Sequence, residues 1–125
     1  CFPGRGCDLL RTMNDIYKEN AFMSVPYDMH KDYRWVEVGE AGSGEWGILG
    51  RSWCEEEAVG DAGSNEILQS YSIDVFFPHD GGGIRYMALW SENVVPGFSD
   101  EQIQGTIEYG IGQVFDKTEE YIEEN

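Results

Sequence analysis

His79 and Asp80 are neighbours in a glycine-flanked segment and form the first pair that could act as a base and its orienting acid. A histidine base also needs a nucleophile within hydrogen-bond distance, and Asp-Gly is common in turns. We interpret the pair as part of a turn. Cys54 with His79 is the alternative thiol–imidazole pair of a small enzyme, but a cysteine packed beside Trp53 accounts for the same residue.

The potential metal ligands do not show the spacing of a known kind of site. No C-x-x-C or H-x-x-H pair, which zinc sites typically use, occurs among Cys1, Cys7, Cys54, His30 and His79. The run Glu55-Glu56-Glu57 offers oxygen ligands but lacks the alternating acids and central glycine of a calcium loop. We therefore expect no metal, no cofactor and no catalytic residues.

The three cysteines, Cys1, Cys7 and Cys54, cannot all pair within one chain. Cys1 and Cys7 could close a small ring through the turn-forming residues between them. This is not the dense framework of a secreted scaffold, so a reducing compartment, the cytoplasm, is expected. No signal peptide and no apolar run of about 18 residues is present, which predicts no membrane association.

The chain is strongly acidic. Its 24 Asp and Glu residues stand against 8 Lys and Arg, so the net charge is −16 over 125 residues. Binding to a phosphate backbone needs clustered cations, and we therefore expect no direct contact with nucleic acid. Such a field attracts basic partners over about 8–10 Å, although acidity that serves only solubility is the simpler alternative.

The elements that must position these residues follow from periodicity. Leu9, Leu10, Met13, Ile16 and Tyr17 recur at helical spacing, so we predict a first helix over Asp8 to Asn20. Two hairpins follow. The first pairs Tyr33–Val38 with Glu45–Trp53, and the second pairs Ser70–Phe77 with Ile84–Trp90. Cys54–Glu66 between them reads as a solvated loop.

The closing segment predicts a long helix. Ser99 and Gln102 fit a capping box, and an apolar stripe continues to about Ile122 through Ile103, Ile107, Ile111, Val114, Phe115, Tyr121 and Ile122. Three helix-weakening glycines, Gly105, Gly110 and Gly112, indicate close packing on a sheet. The predicted fold is one α+β domain over residues 1–125, a mainly antiparallel four-stranded sheet of two hairpins with an N-terminal and a C-terminal helix.

These features favour a non-enzymatic module that binds a basic, possibly nucleic-acid-binding, protein by placing carboxylates where phosphates would lie. Small acidic inhibitors, immunity proteins and phage or bacterial counter-defence proteins share this composition. Trp46, Tyr71 and Trp90 are further candidates for exposed aromatic contacts. The predicted contact residues are Trp53, Glu55, Glu56, Glu57, Asp61, Asp116, Glu119, Glu120, Glu123 and Glu124.

A second function stays open. In size, charge, element order and long closing helix the chain resembles the small acidic chaperones of bacterial type III secretion. That resemblance implies a homodimer with an exposed apolar surface for an unfolded client, whereas an inhibitor would be a monomer.

Overall fold

The structure is a computed structural model that describes residues 2–19, 24–60 and 65–124. The described residues form six strands and one helix. Their bounds are β1 Leu10–Glu19, β2 Ser24–Glu37, β3 Trp46–Trp53, β4 Ala58–Val59, β5 Glu66–His79, β6 Gly82–Val94 and α1 Asp100–Glu124.

The six strands form a single antiparallel sheet. Its order is β1-β2-β3-β5-β4, and β6 pairs with β5 on the other side. The short β4 pairs with the first residues of β5, while β3 pairs with β5 from Tyr71 onward. The long central strands therefore bring residues that are distant in sequence into the same cross-strand rows.

The predicted N-terminal helix is wrong, because β1 occupies most of that segment. Ten residues of β1 pair with β2, from Leu10 opposite Tyr33 to Glu19 opposite Ser24. Thr12, Asn14 and Ile16 are half-buried while the residues between them are exposed, which is the alternation of a strand with one covered face. The apolar residues fit the helical period and are divided between the two faces of the strand, so pairing with the long β2 decided in favour of a strand.

The predicted four-stranded sheet is also wrong, since β1 and β4 add two strands. β1 has a partner because β2 begins at Ser24, well before the predicted strand at Tyr33. That first half of β2 contains Pro26, which argues against a central strand. β3 pairs with β2 only from His30 onward, so Pro26 lies where a missing donor does not interrupt that ladder.

Both predicted hairpins are confirmed. β2 pairs with β3 and β5 pairs with β6 over the expected residues. The turn between β5 and β6 has positive φ at both central residues, 48° at Asp80 and 79° at Gly81. A two-residue turn of this kind matches the twist of the two strands and favours Asp-Gly. His79 and Asp80 thus lie in a turn, as predicted.

The apolar core lies between β2, β4 and the start of β5. Val25, Ala58 and Ile67 are buried there, with Tyr27 packed against them. The interpretation of Cys54–Glu66 as a solvated loop is therefore wrong in part, because β4 lies inside it and places Ala58 in the core. Glu55, Glu56 and Glu57 before β4 are exposed, as expected.

The chain divides into two compact units, one ending at Val94 and one beginning at Val95, and the second contains α1. The capping box is confirmed: the Ser99 amide donates to Gln102 Oε1 at 2.9 Å, and the Gln102 amide donates to Ser99 Oγ at 3.4 Å. The half-buried stripe of α1 runs through Ile103, Ile107, Ile111 and Phe115. Its packing on the sheet stays a prediction.

One detail of the predicted helix needs correction. Val114, Tyr121 and Ile122, assigned to the stripe, are exposed. Within the compact unit that contains α1, a Cβ atom built at Gly105, Gly110 or Gly112 would meet no atom within 4 Å. The close packing of these glycines on a sheet stays a prediction.

Candidate binding face

The two faces of the sheet differ in how they are covered. On one face the ring of Phe2 stacks on Trp35 with centroids 5.6 Å apart, and the Trp35 indole N–H donates to the Phe2 carbonyl oxygen at 2.6 Å. The same face holds the Arg85–Asp74 ion pair at 2.9 Å. The opposite face exposes large side chains, and it is the candidate site.

An aromatic row crosses the exposed face. Direct cross-strand pairing places five side chains from five strands side by side: Met13, His30, Trp53, Tyr71 and Trp90. His30 stacks on Trp53 with ring centroids 5.4 Å apart, and Tyr71 lies 5.8 Å from Trp90. Trp90 is 56% exposed and Met13 is 63% exposed. Large exposed apolar patches are typical of interaction sites, so this row is a candidate contact surface.

An arginine row lies beside the aromatic row, two residues along each strand. It pairs Arg11, Asp32 and Arg51 from β1, β2 and β3. Asp32 is only 4% exposed. Arg11 Nε donates to Asp32 Oδ1 at 2.7 Å and Arg11 Nη2 donates to Oδ2 at 3.0 Å. Arg51 donates to Oδ2 from Nη2 at 2.7 Å and from Nε at 3.0 Å.

The hydrogen bonds from Arg11, followed by those from Arg51, hold the pKa of the Asp32 carboxyl well below its usual range. The same interaction raises the pKa of Arg11. Asp32 therefore stays ionised and fixes two guanidinium groups on the face. The Arg51 guanidinium also lies 4.7 Å from the centre of the Trp53 ring, which ties the arginine row to the aromatic row.

A cavity of about 310 Å³ opens on this face next to the arginine row. Arg34 and Arg51 supply its charged wall, and Asp32 lies at its border. Its apolar wall consists of Leu49, Tyr71 and Ile73, with the backbone of Gly50 between the strands. This size is at the lower end of small-molecule sites.

An acidic row lies on the other side of the aromatic row. Asp15 stands directly opposite Asp28, and Glu92 lies opposite Gln69, whose amide donates to it at 2.8 Å. Glu55 joins this edge, because its carboxylate lies 3.7 Å from His30 Nε2. The aromatic row thus separates the arginine row from the acidic row.

The structure brings some of the predicted contact residues together. Trp53 is in the aromatic row, and Glu55 reaches the row through His30. Tyr71 and Trp90 belong to the same row, whereas Trp46 lies under Arg5 on the opposite face. On α1, in the second compact unit, four predicted acids are exposed: Asp116, Glu119, Glu120 and Glu123. Asp61 and the side chain of Glu124 lie outside the described residues.

Cys54 and His79 do not form a reactive pair. The Cys54 amide donates to the Ser70 carbonyl oxygen at 3.1 Å, and His79 follows nine residues later along β5, about 30 Å away at the rise of a strand. Burial raises the pKa of the Cys54 thiol, which lowers the thiolate fraction. His79 Nε2 lies 3.4 Å from Asp80 Oδ2, and both side chains are exposed.

Within the described ranges no group of three or more His, Cys, Asp or Glu side chains is arranged to hold a metal ion. Among the same residues, no helix has the length and apolarity needed to cross a membrane. Cys7 is disulfide-bonded and Cys54 is a free thiol.

Sequence reasoning missed the acidic row and the arginine row. Asp15 falls within the predicted helix, and Asp28 and Asp32 precede the predicted strand at Tyr33, so the sequence analysis did not place them on a shared face. Period-two alternation in Arg11–Tyr17 was the available signal, with charged or large residues at each odd position. The helical spacing of the apolar residues in the same segment was the stronger pattern.

Comparisons of the chain with protein-family models, with curated proteins and with solved structures gave no match. The function is therefore argued from the geometry of this face.

Proposed function

We propose that the protein is a non-enzymatic module that binds a basic protein partner through the aromatic row and the acidic row beside it. The observation that carries this proposal is the aromatic row with carboxylates along one edge. The alternative of an acidic chaperone has lost one of its supports, because the predicted element order with an N-terminal helix is wrong.

The aromatic row supplies the contact area. Trp and Tyr dominate interface energetics because they bury a large apolar surface and lose little side-chain entropy. Trp90 on the edge strand β6 lies beside Tyr71 of β5, and Trp53 on the central strand β3 continues the row toward β2. A partner that covers these rings removes exposed apolar surface from water, which favours the complex.

The acidic row supplies the preference for a basic partner. Asp15 and Asp28 face each other directly across two strands, an arrangement that destabilises a sheet by repulsion between like charges. Glu55 and Glu92 add carboxylates along the same edge. A cationic side chain of a partner would relieve this repulsion on binding. The exposed acids of Glu55–Glu57 and of α1 extend the attractive field and act chiefly on the association rate.

The test compares captured partners between bait variants. Immobilised wild type, Trp90→Ser and Tyr109→Ser are exposed to the same native lysate, and retained proteins are identified by mass spectrometry. Tyr109, on α1 and 71% exposed, is the matched control for losing an exposed aromatic ring. We expect basic proteins that wild type and Tyr109→Ser retain and Trp90→Ser loses.

The salt dependence tests the electrostatic half of the proposal. With an identified partner, association should slow as salt rises from about 50 to 500 mM, with a smaller effect on dissociation. Reversing Glu55, Glu56 and Glu57 to Lys should slow association in the same way. Equal rates at both salt concentrations, together with unchanged binding by the reversal variant, would leave the acidity as a solubility feature.

The cytoplasmic location belongs to the same proposal. The disulfide at Cys7 weighs against it, because disulfides persist mainly in oxidising compartments.

A further inference from the structure

We propose that the cavity beside the arginine row binds a small organic anion with a planar ring, the anionic group at Arg34 and Arg51 and the ring against Tyr71. This site is distinct in chemistry from the acidic edge of the same face and does not depend on the protein partner proposed above.

The first support is the concentration of cations. The chain has five arginines and a net charge of −16, yet three of those arginines, Arg11, Arg34 and Arg51, project from one face of three adjacent strands. Asp32 is the carboxylate among them. Two further acids on this face, Asp15 and Asp28, lie four residues along their strands, about 13 Å away. The Glu55 carboxylate, on the acidic edge beside His30, also interacts electrostatically with Arg11. The cavity is therefore locally cationic in an acidic protein.

The second support is that the guanidinium groups are both fixed and accessible. Asp32 engages the Nε and Nη2 groups of Arg11 and Arg51, so the Nη1 hydrogens of both remain available. The two side chains are 59% and 48% exposed. Within the described residues no carboxylate lies within 4.0 Å of the Arg34 guanidinium. A planar fork of donors suits carboxylate and phosphate oxygens.

The third support is the apolar wall opposite the charge. Tyr71, Leu49 and Ile73 line the cavity, and Tyr71 is backed by Trp90. Gly50 lines the cavity with its backbone alone. A Cβ atom there would lie 2.9 Å from the Tyr33 ring on the other face of the sheet. An anion without an apolar body would leave this wall in water, whereas a planar ring would cover it.

The experiment titrates four probes into ¹⁵N-labelled full-length chain and follows amide and arginine Nε–H resonances. Adenosine 5′-monophosphate and indole-3-acetate carry a ring and an anionic group, which is a phosphate in one and a carboxylate in the other. Adenosine lacks the charge and inorganic phosphate lacks the ring. We expect at least one ring-bearing anion to bind with a Kd below about 1 mM, shifting the Nε–H signals of Arg34 or Arg51, and the neutral probe to bind at least about tenfold more weakly.

Matched arginine variants locate the site. Arg34→Gln should weaken the binding of that anion at least about tenfold, the loss of one charge-assisted contact. Arg5→Gln makes the same charge change at an exposed turn residue outside the cavity and should leave Kd within about twofold. The spectra of both variants report directly whether the fold is kept.

Three outcomes would overturn the proposal: neither ring-bearing anion binds, adenosine or inorganic phosphate binds as tightly as they do, or Arg34→Gln matches Arg5→Gln. Loss of partner capture by Trp90→Ser with intact anion binding would separate the two proposals. Loss of anion binding by Arg34→Gln with intact partner capture would separate them equally.

Discussion

At the residue scale, Asp32 is the feature on which the exposed face is built. Its carboxylate is buried and accepts four hydrogen bonds from the N–H groups of two arginines, which lie 21 and 19 residues away in sequence. A buried carboxylate is stabilised only when such partners are present. The arginines in turn are held in fixed positions beside the aromatic row. The Asp32 side chain thus fixes the positions of both arginines in the arginine row.

Replacing Asp32 with Asn should therefore destabilise the protein. The side chains of Arg11 and Arg51 should no longer be held in a single position. We expect a melting temperature several degrees below that of wild type at pH 7, because two guanidinium groups lose their shared acceptor. Thermal denaturation followed by circular dichroism measures the change. Asp28→Asn, on the same strand and face but exposed, is the control and should melt close to wild type or slightly higher.

The same carboxyl predicts a pH dependence. The pKa of Asp32 is lower in the folded chain than its ordinary value of 3.8, so the folded state binds this proton less readily than the unfolded state. Its stabilisation is complete above pH 3.8 and is lost as the pH falls from there toward the folded-state pKa. Urea denaturation between about pH 5 and pH 2 should show a steeper loss for wild type than for Asp32→Asn. Parallel curves would contradict the assignment.

At the scale of elements, the glycines of the sheet and those of the helix differ in the atoms that surround them. A Cβ at Gly47 would lie 2.5 Å from the Phe76 carbonyl oxygen, and one at Gly50 would lie 2.9 Å from the Tyr33 ring. A Cβ at the glycines of α1 would meet no atom within 4 Å in their own compact unit. In β3, glycine allows a neighbouring strand or ring to approach. In α1, nothing in the same unit requires glycine, and glycine lowers helix propensity.

Gly50→Ala should cost about 1–3 kcal/mol, because Tyr33 must move off the strand. Equilibrium unfolding in urea measures the loss, and the double variant Gly50→Ala with Tyr33→Leu should recover part of it, since the contact that clashes is then removed. Additive effects of the two changes would show that the ring is not the obstacle.

Alanine in place of Gly105, Gly110 and Gly112 should instead stabilise α1, by up to about 1 kcal/mol at each position. The expected result is a larger helical signal at 222 nm and a higher temperature for its loss. A loss of helical signal or stability in the triple variant would indicate that a neighbour needs these positions without side chains.

At the scale of the whole molecule, charge is distributed unevenly in space as well as in sequence. The exposed face carries arginines at one end and carboxylates at the other, and α1 ends with four exposed acids and no basic residue in its last turn. Acids at a helix C-terminus oppose the helix dipole. The net charge of −16 adds self-repulsion to both units.

Raising salt should therefore stabilise the free protein. Between about 50 and 500 mM NaCl, screening of like charges such as the Asp15–Asp28 pair should raise the melting temperature. Differential scanning calorimetry at both concentrations provides the measurement. A lower melting temperature at high salt would mean that the attractive pairs, Arg11–Asp32–Arg51 and Arg85–Asp74, outweigh the repulsion.

The features that depend on near neighbours could be predicted from the amino-acid sequence. The turn at Asp80-Gly81, the alternation of the β5–β6 hairpin and the Ser99–Gln102 capping box are all satisfied within a few residues. The overall acidity is likewise a property of composition. Each of these was predicted correctly because a short segment contains the whole cause.

The remaining features depend on contacts between distant parts of the chain. The apolar residues of Leu10–Glu19 recur at helical spacing, yet the segment forms β1 because β2 offers ten paired residues. Asp32 became a buried acceptor because β1 and β3 bring arginines to both sides of it. The aromatic, arginine and acidic rows exist only through the cross-strand register. The register is fixed by the free energy of pairing between strands that are distant in sequence, and no short segment of the sequence contains those contacts.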